Sequence, residues 1–153
     1  MTGVPRTWIV TWEPRRDPGF LTDEEWDLLA ADSTRAEREE GLPVMAWPVP
    51  NGWSEANIGD VVFIFRQAVN EHGIVARGEV ESEFRRDWGR AVVDLAIRCM
   101  ALADVLPFES VERTAPSIPW RLLDAEEVHE MGEPDRARLE AAWSRFIDGK
   151  RTS

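Results

Sequence analysis

Tyrosine is absent from this 153-residue sequence, and cysteine, histidine and lysine are scarce: Cys99 is the single cysteine, His72 and His129 the two histidines, and Lys150 the one lysine. One cysteine excludes an internal disulfide and suits a reducing compartment. Neither histidine has a Cys or His partner at ligand spacing, which argues against a zinc site, so no metal and no other cofactor is expected. The sequence places both histidines as exposed, His72 in a hairpin loop and His129 in an acidic helix. No apolar run approaches the about 18–20 residues that a membrane helix needs. The first residues lack the basic-then-apolar pattern of a secretory signal. The expectation is a cytoplasmic protein without a membrane partner.

Catalytic signatures are missing too. There is no Gly-rich phosphate loop and no G-x-S-x-G elbow. Pro134-Asp135 followed by Asp148-Gly149-Lys150 satisfies the letter of a PD…D-x-K nuclease motif. That chemistry needs its acids and lysine on adjacent strands around a metal, whereas here they fall on or just beyond one predicted helix. The carboxylates Asp23-Glu24-Glu25 and Glu126-Glu127 read as first-turn residues of helices, where the helix dipole favours them. The catalytic set is therefore empty, and no enzymatic activity is expected.

What is abundant is tryptophan and arginine. Eight tryptophans stand in the chain, and 17 of its 18 basic residues are arginine. Aliphatic side chains fill a core adequately, so this many indoles raises the prospect of a flat ring site. The net charge of −11 is unevenly placed: residues 17–40 carry −7 and residues 124–135 carry −6, which leaves the rest at +2. A surface away from the two acidic segments is thus free to meet phosphates.

The chain length is that of one domain. Thr7–Trp12 alternates as a strand, with Trp8, Val10 and Trp12 on one side. Thr22 and Glu25 form a capping box for a helix that runs on towards Glu40. Leu42 to Asn57 reads as a loop, with three prolines, an Asn51-Gly52 turn, Trp47 and Trp53. Val61–Gln67 and Ile74–Phe84 read as antiparallel strands joined by a hairpin loop, with Gly78 as a candidate bulge. Ala91 to Met100 alternates again. Pro107 opens a short helix, Asp124 and Glu127 cap another that ends near Gly132, and Pro134 starts a last helix to about 148 with Leu139, Trp143 and Phe146 as its buried stripe. Antiparallel strands with peripheral helices suggest an α+β, barrel-like domain.

Four segments occur in a suggestive order: W-I-V-T-W-E-P at 8–14, a Pro- and Trp-rich loop with Trp47 and Trp53, G-D-V-V-F-I-F-R-Q at 59–67, and G-I-V-A-R-G-E-V at 73–80. In that order they resemble the EVE family of the PUA-like superfamily over roughly residues 7–110. The resemblance implies one domain over 1–153, a mixed β-barrel of about five to six strands with peripheral helices, and an acidic helical insertion at about 20–41. It also implies a pocket for a modified base flipped out of nucleic acid. Family members often carry tyrosine, histidine and serine where this chain has Phe65-Arg66-Gln67, which bears on the preferred base.

On that resemblance, Trp12, Trp47, Trp53 and Phe65 are the expected ring walls of the pocket, four rings at one barrel mouth. Glu13, Arg66 and Gln67 are the expected polar edge, and Arg15 and Arg16 the phosphate contacts. Trp8, Trp26, Trp88 and Trp143 read as core, and Trp120 as either core or pocket cover. The implied partner is nucleic acid, with 5-methylcytosine in DNA the first expectation and modified RNA the alternative. There is room for a nuclease partner on a separate chain, as in restriction systems. A protein-interaction module working through the acidic helices is the reading from another class.

Overall fold

The computed structural model describes residues 5–13, 22–39, 41–50, 52–67, 72–87, 89–123 and 127–151. Among the described residues, eight strands, three α-helices and two 3-10 turns follow one another along the chain. The strands are β1 (Thr7–Trp12), β2 (Val44–Pro48), β3 (Val61–Arg66), β4 (Gly73–Val80), β5 (Arg85–Asp87), β6 (Arg90–Cys99), β7 (Leu106–Pro107) and β8 (Val128–Met131). The helices are α1 (Asp23–Glu39), α2 (Phe108–Thr114) and α3 (Asp135–Arg151), and the 3-10 turns span Leu102–Asp104 and Trp120–Leu122. The strands form one mixed sheet in the order β2-β6-β4-β3-β1-β8, with β5 on β6 and β7 on β4. The fold is α+β as expected. It has eight strands instead of five or six, and the path has two ends, so the sheet curves without closing into a barrel.

The expected pairing of the third and fourth strands is antiparallel as read, with Val61 opposite Glu79. β1 joins β3 in parallel, from Thr7 beside Val61 to Trp12 beside Arg66. Parity then sorts side chains to two faces. Trp8, Val10, Trp12, Val62 and Ile64 enter one core with Trp26, Trp47, Trp53 and Leu95. Ile9, Phe63 and Phe65 enter the other, with Phe108, Trp120, Leu139 and Trp143. Helix α1 covers the first face, and α2 and α3 cover the second.

Helix α1 begins where the capping box placed it. The Thr22 N–H donates to Glu25 Oε1 at 3.0 Å, and the Glu25 N–H donates to Thr22 Oγ1 at 3.1 Å, which satisfies two donors at the helix start. The helix is anchored by two polar contacts: the buried Trp26 Nε1 donates to the Met100 carbonyl at 2.9 Å, and Asp27 Oδ1 accepts from the Leu102 N–H at 3.0 Å.

Five local readings need correction. The supposed loop after Leu42 contains β2, an edge strand bonded only to β6. Proline at 48 is tolerated there because an edge strand has one side without ladder partners. The bulge lies not at Gly78 but between Ile64 and Phe65, which face Ala76 and Ile74 and so leave Val75 extra on β4. Gly78 serves close packing instead, since a Cβ there would sit 3.2 Å from Leu95 Cβ. The strand that starts near Ile74 ends at Val80, and β5 is separate.

The acidic helix expected from Asp124 to Gly132 is in fact β8, paired antiparallel with β1. His129 and Glu127 therefore belong to a strand region, with 124–126 outside the described residues. The open edge of β1 outweighs the capping pattern: Glu127 donates its N–H to Thr11 Oγ1 at 2.7 Å, and its carbonyl accepts from the Thr11 N–H at 2.9 Å. The last helix begins at Asp135 and continues to Arg151, beyond the expected 148. Its buried contacts are Leu139, Trp143 and Ile147, with Phe146 partly buried. Among the described residues no helix is long and apolar enough to cross a membrane.

Candidate functional site

The expected ring walls do not meet at one mouth. Trp12 and Trp47 are neighbours, 6.0 Å apart and edge to face. Trp26 of α1 completes a triangle with them, 4.8 Å from Trp12 and 6.1 Å from Trp47. All three are buried. Trp26, expected as plain core, is thus also the third ring of the cluster.

Trp53 lies at the other end of the same face. It packs 5.6 Å from Trp8 and 5.1 Å from Phe84. Trp8 and Trp12 are four residues apart on one strand, which separates the two clusters by about 13 Å. Phe65 is on the opposite face, beside Thr11 in register and not beside Trp12. Its neighbours are His72 at 5.1 Å, Trp120 at 5.0 Å and Phe108 at 6.2 Å. Trp120 is core, its Nε1 bonded to the Ala115 carbonyl at 2.7 Å. Burial pushes the His72 imidazole below its ordinary pKa, and its ring stacks on Phe108 at 4.6 Å.

The polar residues stand at the C-terminal ends of β1 and β3, but on two faces, Arg66 on the Trp12 side and Gln67 towards Leu123 on the Phe65 side. The Arg66 guanidinium lies 5.6 Å over the Trp12 ring and reaches Asp23, at the start of α1, at 3.4 Å. Arg66 is buried although its acid partner is exposed. Gln67 donates its backbone N–H to the Trp12 carbonyl at 2.8 Å and its side-chain Nε2 to the Leu123 carbonyl at 2.8 Å. Glu13 and Gln67 are the half-buried members of the group. Among the described residues, the buried Trp12 Nε1 and Gln67 Oε1 have no hydrogen-bond partner. Arg15, Arg16 and Trp88 lie outside the described residues. No signal in the sequence marks the Leu123 carbonyl as part of this group, because a backbone acceptor leaves no trace in side-chain identity.

The G-D pair at 59–60 turns out to be architectural. Gly59 has φ +97, a conformation that favours glycine. The buried Asp60 carboxylate accepts from the Arg6 N–H at 3.0 Å, Trp8 Nε1 at 3.1 Å and the Asn57 N–H at 3.0 Å. Gly73 is equally constrained, since a Cβ would come within 2.0 Å of the Leu106 carbonyl oxygen. The buried Asp135 accepts the Ser117 N–H at 2.8 Å and its hydroxyl, which ties α3 to the turn after α2. Among the described residues no cluster of three or more His, Cys, Asp or Glu side chains is placed to hold a metal ion.

No protein-family model and no curated protein sequence matches the chain. Solved structures do share its fold. A hypothetical protein from Leishmania major superposes with a TM-score of 0.62 at 12% identity, over 96% of this chain and 98% of that one. Human THYN1 in complex with 5-methylcytosine-containing DNA superposes with a TM-score of 0.54 at 11% identity, over 90% of this chain and 96% of that one. At such identity the likeness is one of fold.

Proposed function

We propose that this chain is a nucleic-acid-binding domain of the EVE type that recognises a modified base, 5-methylcytosine in DNA first, and catalyses no reaction of its own. The observation that supports the reading is the fold shared with human THYN1, whose structure holds 5-methylcytosine-containing DNA. In this reading the site is the end of the sheet where β1 and β3 stop. Glu13 and Gln67, half-buried, meet the base edge. Trp12, Trp47 and Arg66 are the buried group on the other face of the same strand ends. Trp53 leaves the site, since it belongs to the far end of the core, whereas Phe65 stays behind the face that Gln67 shares through Leu123. Arg15 and Arg16, which follow β1 directly in the chain, keep the role of backbone phosphate contacts.

The energetics suit recognition of a flipped base. Extrusion from a duplex costs a few kcal/mol, and stacking on an aromatic surface returns about 1–3 kcal/mol. A single methyl in an apolar pocket adds at most about 1–3 kcal/mol, so the preference for methylated over plain cytosine is modest. The test is a titration of matched methylated and unmethylated DNA duplexes and RNAs, followed by fluorescence anisotropy. The reading expects tightest binding to a methylated duplex and a loss of about 1–3 kcal/mol in Glu13→Ala at unchanged melting temperature. Equal affinity for every oligonucleotide would refute it, and a preference for modified RNA would replace DNA as the ligand.

A further inference from the structure

We infer that Gln67 makes this site selective for a base with an exocyclic amine, the cytosine and adenine class, and against thymine and uracil. The inference rests on the modified-base reading above and names the chemistry that the reading leaves open.

The orientation of the Gln67 amide is set by the protein. Its Nε2 donates to the Leu123 carbonyl at 2.8 Å, and the flipped amide would place oxygen against oxygen. The backbone is held as well, through the Gln67 N–H on the Trp12 carbonyl at 2.8 Å. The amide is thus fixed between the end of β1 and the residue after the second 3-10 turn. Its oxygen is buried and, among the described residues, meets no donor.

Three other buried polar atoms, on Thr7, Trp12 and Trp53, also lack partners, yet each has an outlet. The indole N–H groups of Trp12 and Trp53 lie among ring faces, which accept weakly from N–H. The Thr7 hydroxyl can rotate. A pinned carbonyl oxygen has neither option, and leaving such an acceptor dry is unfavourable until a ligand supplies an N–H.

The amino group of cytosine or adenine supplies one. Thymine presents a carbonyl oxygen at the same ring position and would set acceptor against acceptor. 5-Methylcytosine and thymine share the ring and the methyl group, so an apolar pocket alone scarcely separates them. A site whose buried polar group needs the ligand's N–H separates them far better.

The experiment uses the whole chain and duplexes in which one position carries 5-methylcytosine, thymine or 5-methylpyrimidin-2-one opposite an abasic site, so that base pairing favours none of them. The expected result is binding to 5-methylcytosine at least about tenfold tighter than to either analogue. In Gln67→Met, 5-methylcytosine binding weakens and the three affinities fall within about threefold of one another. Equal wild-type affinities would overturn the inference while leaving the modified-base reading in place. A folded Gln67→Met protein that keeps the wild-type ratio would do the same. Absence of binding to every modified duplex refutes the modified-base reading, and the inference with it. Should Gln67→Met fail to fold, the wild-type ratio across the three bases decides.

Discussion

Replacement of Asp60 tests whether the Gly-Asp turn is architecture. The carboxylate is 2% exposed and accepts three N–H groups, two of them from backbone and one from the indole of Trp8. A hydrogen bond to a charged group contributes about 1.5–3 kcal/mol net, and a buried donor left unpaired costs about 1–3 kcal/mol. Asp60→Ala strips all three donors at once. Even at the lower bound the loss is about 4–5 kcal/mol, a third or more of the stability of an ordinary domain. Asp60→Asn keeps one oxygen. That oxygen best stays with Trp8 Nε1 and the Asn57 N–H, which share Oδ2, and the amide NH2 then turns to the Arg6 N–H, so the loss falls to about 1–2 kcal/mol.

Urea unfolding followed by far-UV circular dichroism measures these losses without relying on tryptophan emission. A double-mutant cycle with Trp8→Phe isolates the indole bond. If Trp8 Nε1 is the donor most dependent on Asp60, the double variant is about 1.5–3 kcal/mol more stable than additivity predicts. An Asp60→Ala loss under about 1 kcal/mol, or additivity within about 0.5 kcal/mol, would refute the hub. Asp60 sits at the Trp8 end, away from Gln67, so Asp60→Asn leaves nucleic-acid affinity unchanged.

Burial holds the His72 pKa below its ordinary 6.5, so the neutral ring stabilises the fold above that value and the contribution is lost as pH falls. The melting temperature should drop between pH 7.5 and 5.5 by more in the wild type than in His72→Phe, which keeps a ring on Phe108; equal drops would refute the assignment. Trp53→Phe should lower stability by on the order of 1 kcal/mol and leave discrimination between methylated and plain duplexes intact, as comparative titration will show. Binding should depend weakly on salt, with a log–log slope no steeper than about −3, because few phosphates can be neutralised next to the acidic start of α1. A slope near about −8 would assign the affinity to the phosphate backbone instead.

Regular alternation and local capping were legible in the sequence. Thr7–Trp12, Val61–Gln67 and the Thr22–Glu25 box appear in the structure almost residue for residue, because their signals are local. β2 was hidden by Pro43, Pro48 and Pro50, whose meaning depends on whether the strand is central or at an edge. β8 was hidden by an acidic capping pattern that lost to the open edge of β1. The site was legible in part. Trp12, Arg66 and Gln67 came together because two parallel strands end side by side. Phe65 is parted from Trp12 and Arg66 because that register puts it level with Thr11 on the other face, and register belongs to the pair of strands, not to either one. Trp53 follows a loop long enough to reach either end of the face, and its partner, Trp8, is fixed only by packing.

The charge layout constrains how such a site would work. Asp23, Glu24 and Glu25 open α1 as exposed residues, and Asp23 touches the buried Arg66. Within a Debye length of about 8 Å at physiological salt, those carboxylates oppose an approaching phosphate chain. Among the described residues, the cation beside these carboxylates, Arg66, is already paired with Asp23 and stacked over Trp12, and so offers little to a phosphate. In the proposed reading, Arg15 and Arg16 supply the phosphate contacts, and the rest of the affinity comes from the ligand's rings and hydrogen-bonding edge. Those are the terms that distinguish one base from another, whereas a phosphate contact serves every sequence alike. In the proposed reading, carboxylates near a buried, pinned acceptor lower general affinity for nucleic acid and so widen the gap between the right base and all others.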